Sequence, residues 1–77
     1  MFKQGQIVKS KQRTESAQLF VMVLFDRTPS DTQFNGVVIK DMTNCGDDYE
    51  AETGYVTNVW NTSQFKLTNW EEVKPFL

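Results

Sequence analysis

The sequence predicts a small all-β domain, a five-stranded twisted antiparallel barrel. Three observations carry that prediction. Between Ala17 and Asp26 every odd position, Ala17, Leu19, Val21, Val23 and Phe25, is apolar, which is the period of a strand with one buried face. Four further short runs are rich in Val, Ile, Tyr, Phe or Trp and are separated by Gly, Pro, Asn and Ser turn signals. A length of 77 residues is also too short for a two-sheet sandwich, which needs roughly 100.

The elements follow in order. Gly5 to Lys9 reads as a first strand, with its pairing core over 6–9, and Ser10 to Ser16 is a polar loop. The alternating run gives a second strand over 17–26, where valine and phenylalanine favour a pleated surface over a helix. Thr28-Pro29-Ser30-Asp31 is a turn, with Pro29 pre-set for its second position. A third strand spans 34–40, with Val37 and Ile39 on one face and Phe34 and Val38 on the other. Asn35-Gly36 is a hairpin signal in its own right, but a hairpin there would leave too short a strand before it. A bulge at Gly36 is the better reading. After a long acidic loop, Asp41 to Thr53, the fourth strand runs over 54–60, with Trp60 expected to face inward together with Val56. Asn61-Thr62-Ser63 turns the chain into a fifth strand at 64–67. Trp70 to Leu77 fits either one short helical turn or a sixth strand, stopped at Pro75.

Three segments carry a family resemblance. They are Phe2-Lys3-Gln4-Gly5-Gln6-Ile7-Val8, then Phe34-Asn35-Gly36-Val37-Val38-Ile39, then Gly54-Tyr55 leading to Trp60 and Phe65. On these the chain resembles a Src-homology-3-like small β-barrel, and more narrowly short uncharacterised one-domain proteins of bacteria and prophages. The resemblance implies a fold and no chemistry. The peptide-binding branch of that superfamily carries an Ala-Leu-Tyr-Asp-Tyr run in its first loop. Residues 10–16 here contain no aromatic residue.

Composition bounds the function further. The chain is expected to form one domain over 1–77, since two cores would each be too small. Histidine is absent, which removes the commonest general base, the commonest metal ligand and every Ser-His or Cys-His nucleophile pair. Cys45 is the only cysteine, so no internal disulfide forms. No enzyme activity is expected. The longest apolar run, Leu19 to Phe25, is far short of the roughly 20 residues that cross a membrane, so no membrane partner and a cytoplasmic location are expected.

The net charge of −2 divides into +3 over residues 1–40 and −5 over residues 41–77. Lys9, Lys11 and Arg13 alternate out of the first strand, so a continued strand would line them up to contact phosphates. Asp41, Gly46 and Glu52 fit positions 1, 6 and 12 of a calcium loop, but Thr43 and Cys45 stand where such a site wants Asp or Asn. A solvated loop is expected, and no metal or cofactor. Cys45 beside Asp47 and Asp48 has an environment that raises a thiol's pKa, and no reactivity follows. Tyr55, Trp60 and Trp70 are read mainly as core aromatics, while Tyr49 is the exception, borne on the loop among acids. The even positions of the second strand, Phe20, Met22 and Leu24, are apolar opposite the core face and need a cover. That cover is either the C-terminal Trp70, Val73, Phe76 and Leu77 or a second copy. The function expected is a non-enzymatic protein-interaction or binding module, as a homodimer or with another protein partner. The alternative is a weak nucleic-acid-binding barrel using the basic first loop.

Overall fold

The computed structural model describes residues 2–11, 18–25, 32–42 and 53–77. It is an all-β fold of five antiparallel strands in one sheet: β1 Ile7–Ser10, β2 Leu19–Val23, β3 Gln33–Asp41, β4 Val56–Asn61 and β5 Phe65–Thr68. The C-terminus is helical, not a sixth strand. It forms α1, Trp70–Val73, followed by a single 3-10 turn at Lys74–Phe76. Strand order across the sheet is β4-β3-β2-β1-β5. The two edge strands share no ladder, so the sheet is not closed into a barrel.

Side chains bridge the gap instead. Val8, Leu19, Val21, Val23, Phe34, Val38 and Phe65 form one buried cluster on the concave side. Phe65 of edge strand β5 meets Trp60 of edge strand β4 at 5.6 Å between ring centroids and Phe34 at 5.4 Å. Both contacts are edge-to-face, the arrangement that aromatic quadrupoles prefer. Leu19, Val21 and Val23 therefore put the odd face of β2 in the core, as its alternation predicts, whereas Phe25 past the strand's end is 37% exposed and Ala17 lies outside the described residues.

Irregularities decide which residues point where. Phe34 pairs with Trp60, and Gly36 pairs with Thr57, so Asn58 and Val59 together stand opposite Asn35. The bulge thus lies on β4, across from the expected position at Gly36. Gly36 is needed for a different reason: a Cβ there would sit 2.5 Å from the Val21 Cγ1. The β4 bulge also corrects the expected pairing of Trp60 with Val56. Four residues apart in a regular strand, they would share a face. The extra residue puts Trp60 on the concave side against Phe34 and Val56 on the outer side against Val37. Trp60 is half-buried, and its indole N–H donates to the Gly36 carbonyl at 3.1 Å.

A second register shift leaves Ile39 unpaired between Val38 and Lys40. Without it Lys40 would follow Val38 into the core. With it, Lys40 lies beside Phe20 on the outer face. At the start of β4, Gly54 takes φ +94. Its N–H donates to the Val38 carbonyl, while the Val38 N–H donates to Tyr55. That is a bulge with glycine in the left-handed position, where a side chain would be strained.

Candidate interaction face

The outer face of the sheet carries the residues that have no place in the core. Two cross-strand rows organise it. One row runs Thr68, Ile7, Met22, Val37, Val56 through all five strands. The other runs Lys66, Lys9, Phe20, Lys40 through four of them.

The C-terminal segment covers part of this face. Phe20 is 1% exposed and Val73 is 0% exposed, and with Ile7 they make a second buried cluster against which Ile39 and Met42 pack. The Phe76 ring stacks on Phe20 at 6.1 Å, with 25° between the planes. A helix of four residues has little stability of its own, so this packing is what holds it. Its entry is fixed locally: the Asn69 side-chain oxygen caps it by accepting from the Glu72 N–H at 3.2 Å.

An ion pair adds a second attachment. Lys9 Nζ donates to Glu72 Oε2 at 2.6 Å, and the lysine side chain is only 15% exposed. The Glu72 pKa is lowered from its ordinary 4.5, first by that bond from Lys9 and then by the Thr68 hydroxyl. Burial opposes them, and the positive charges of Lys9 and Lys66 each add less to the lowering than burial takes away from it.

The sequence-derived site residues therefore separate. Phe20 is buried under α1 and is structural. Met22 and Leu24 are half-buried and stay on the open part of the face. Lys9 is held by Glu72, while Lys11 is exposed just past the end of β1, its backbone N–H donating to the Gln64 carbonyl. Arg13 lies outside the described residues, as do Tyr49, Cys45 and the calcium-loop positions from 43 to 52. Among the described residues no group of three or more His, Cys, Asp or Glu side chains is placed to hold a metal ion. Among them, too, no helix is long and apolar enough to cross a membrane.

The structure adds residues that single-strand reading did not put together. Val37 is half-buried and Val56 is 51% exposed, and both continue the Met22 row toward edge strand β4. Lys40 and Lys66 join Lys9 only through register. The parity of Val37 against Phe34 and Val38 is visible in sequence. The bulges that turn Val56 and Lys40 outward are not. No family model matches the chain, and neither a curated protein nor a solved structure matches it.

Proposed function

We propose that this chain is a non-enzymatic protein-interaction module of the cytoplasm, built on a Src-homology-3-like sheet. The observation that carries the reading is the half-covered outer face. Phe20 and Ile7 are buried under α1, while Met22, Val37 and Val56, in register beside them, remain half-buried or exposed. A contiguous apolar row that the fold leaves uncovered is a surface on which another protein gains burial. The five short antiparallel strands and the lack of histidine support the kinship and the absence of catalysis.

A nucleic-acid reading has one observation in its favour, the register that sets Lys66, Lys9 and Lys40 side by side with Phe20. Glu72 weighs against it, because the central lysine already has a carboxylate partner.

The test is capture from an extract of the source cell, with and without nuclease, by the wild type and by Val37→Lys. Capture that survives nuclease and is lost in folded Val37→Lys is the expected result. Nuclease-sensitive capture, unchanged in Val37→Lys and weakened by salt with a log–log slope of about −0.7 to −0.9 per phosphate, would favour nucleic acid.

A further inference from the structure

Resting on that reading, we infer that the partner meeting this surface at the β4 edge is a second copy of the chain, joined by antiparallel pairing of β4 with itself.

The two sheet edges differ in how they are protected. Native edges are usually blunted by charge, proline, brevity or a bulge, because their outward N–H and C=O groups pair readily with another strand. Edge β5 is four residues long, carries Lys66 and leads directly into the charged helix α1. Edge β4 lies within residues 53–65, thirteen positions without one Asp, Glu, Lys or Arg, and the longest charge-free run in the chain. It carries no proline, and Val56 and Val59 are 51% and 57% exposed. Its protective devices are two bulges, the Gly54 bulge at its start and the one at Asn58 and Val59, which confine regular pairing to the segment between them, at Val56 and Thr57.

Charge decides between a copy and a different protein. Pairing a strand with itself about a two-fold axis sets the residue on the axis against its own copy and its neighbours against one another, so a charge at the axis would face a like charge. An edge without charge is self-complementary. It offers nothing to select an acidic or a basic partner strand, and no like charges meet across the axis when it pairs with itself. Continuity points the same way. A two-fold axis normal to the sheet keeps both outer faces on one side. The row Met22, Val37, Val56 then runs on into Val56, Val37 and Met22 of the second copy. Val56, at the exposed end of the row, gains its own copy as a lateral apolar neighbour where the row meets the edge.

Sedimentation velocity over a concentration series reads the proposal, with the whole chain and single substitutions at the exposed Val56. Wild type is expected to form a concentration-dependent dimer that salt does not weaken. Val56→Lys and Val56→Glu, each alone, should weaken it at least about tenfold. An equimolar mixture of the two should restore dimer as the heterologous pair, which only self-pairing near Val56 produces. Val59→Lys serves in place of a Val56 variant that does not fold. Leu67→Lys, on the exposed part of edge β5, should leave the dimer intact. Monomer at every concentration, or a dimer indifferent to all Val56 and Val59 substitutions, overturns the inference. A monomer that still captures another protein through Val37 overturns it while leaving the interaction-module reading in place. A dimer obeying the charge swap, with nothing captured, does the reverse.

Discussion

The two halves of the outer face begin from the same strand and end in different environments. Phe20 and Met22 are neighbours on the even side of β2, two residues apart and on one face. Phe20 lies beneath Val73 and Phe76, with the Lys9–Glu72 pair tying the helix down beside it. Met22, in the next row, reaches past the helix to Val37 and Val56 and stays half-buried. A central strand apolar on both faces demands two covers. Among the described residues one cover is complete and the other half-made, and on the proposed reading the open half is where another molecule binds.

The largest effect should separate those neighbours directly. Phe20→Ala empties a fully enclosed site and is expected to cost about 3–5 kcal/mol, enough to unfold much of a marginal domain. Met22→Ala should cost about 1 kcal/mol in the monomer, because its side chain already meets solvent. Urea unfolding of both variants measures the contrast. Equal costs would mean that the helix does not distinguish the two rows.

A smaller contrast tests the bulge that sends Trp60 and Val56 to opposite faces. Trp60 packs against Phe65 and Phe34's cluster and bonds Gly36, so Trp60→Ala should cost about 2–3 kcal/mol, discounted for its half-exposure. Val56→Lys should change monomer stability by no more than about 0.5 kcal/mol. Thermal unfolding at a concentration where the protein is monomeric reads both. A severe loss from Val56→Lys would place Val56 inside and remove the bulge from the account.

Much of the fold is legible in the residues, and the parts that are not have one cause. Alternation in β2 identifies its core face, and Val, Ile and aromatic runs place four strands within two residues of where they lie, while β2 ends three residues before the expected Asp26. The need for a cover over Phe20 is equally visible, and Val73 and Phe76 are two of the four residues expected to supply it. Side-chain direction after a bulge is different. A bulge costs one residue of register and leaves no mark in composition, so Val56 reads as inward and Lys40 as off the face until the pairing is seen. Barrel closure fails to show for a related reason. Whether β4 and β5 pair depends on how far the sheet curls, and here Trp60 and Phe65 fill the gap that a ladder would need. The lysine row is a register property too. Lys9, Lys40 and Lys66 are far apart in sequence, where the visible pattern is Lys9, Lys11 and Arg13.

The smallest expected effect is confined to the covered half and depends on pH. Glu72 has its pKa lowered in the folded chain, chiefly by the hydrogen bond from Lys9. A carboxyl group whose folded pKa lies below its unfolded value stabilises the fold through its charged form. That contribution is complete above the ordinary value of 4.5 and is lost as pH falls through the lowered folded value. Wild type and Glu72→Gln should therefore differ in stability by a constant amount at neutral pH, and the difference should shrink only in acid. Lys9→Met keeps the buried stem of the side chain and removes the donor, so Glu72 should titrate closer to 4.5 in that variant. Carbon-detected NMR of the Glu72 carboxyl gives the titration, and methyl signals give its reach. Val73 and Ile7, under the helix, should shift with it, while Val37 and Val56 should not. Signals of Val37 and Val56 moving together with those of Val73 and Ile7 would show that the covered and open parts of the face answer to one transition, and that the division of the face into two halves is not a division in stability.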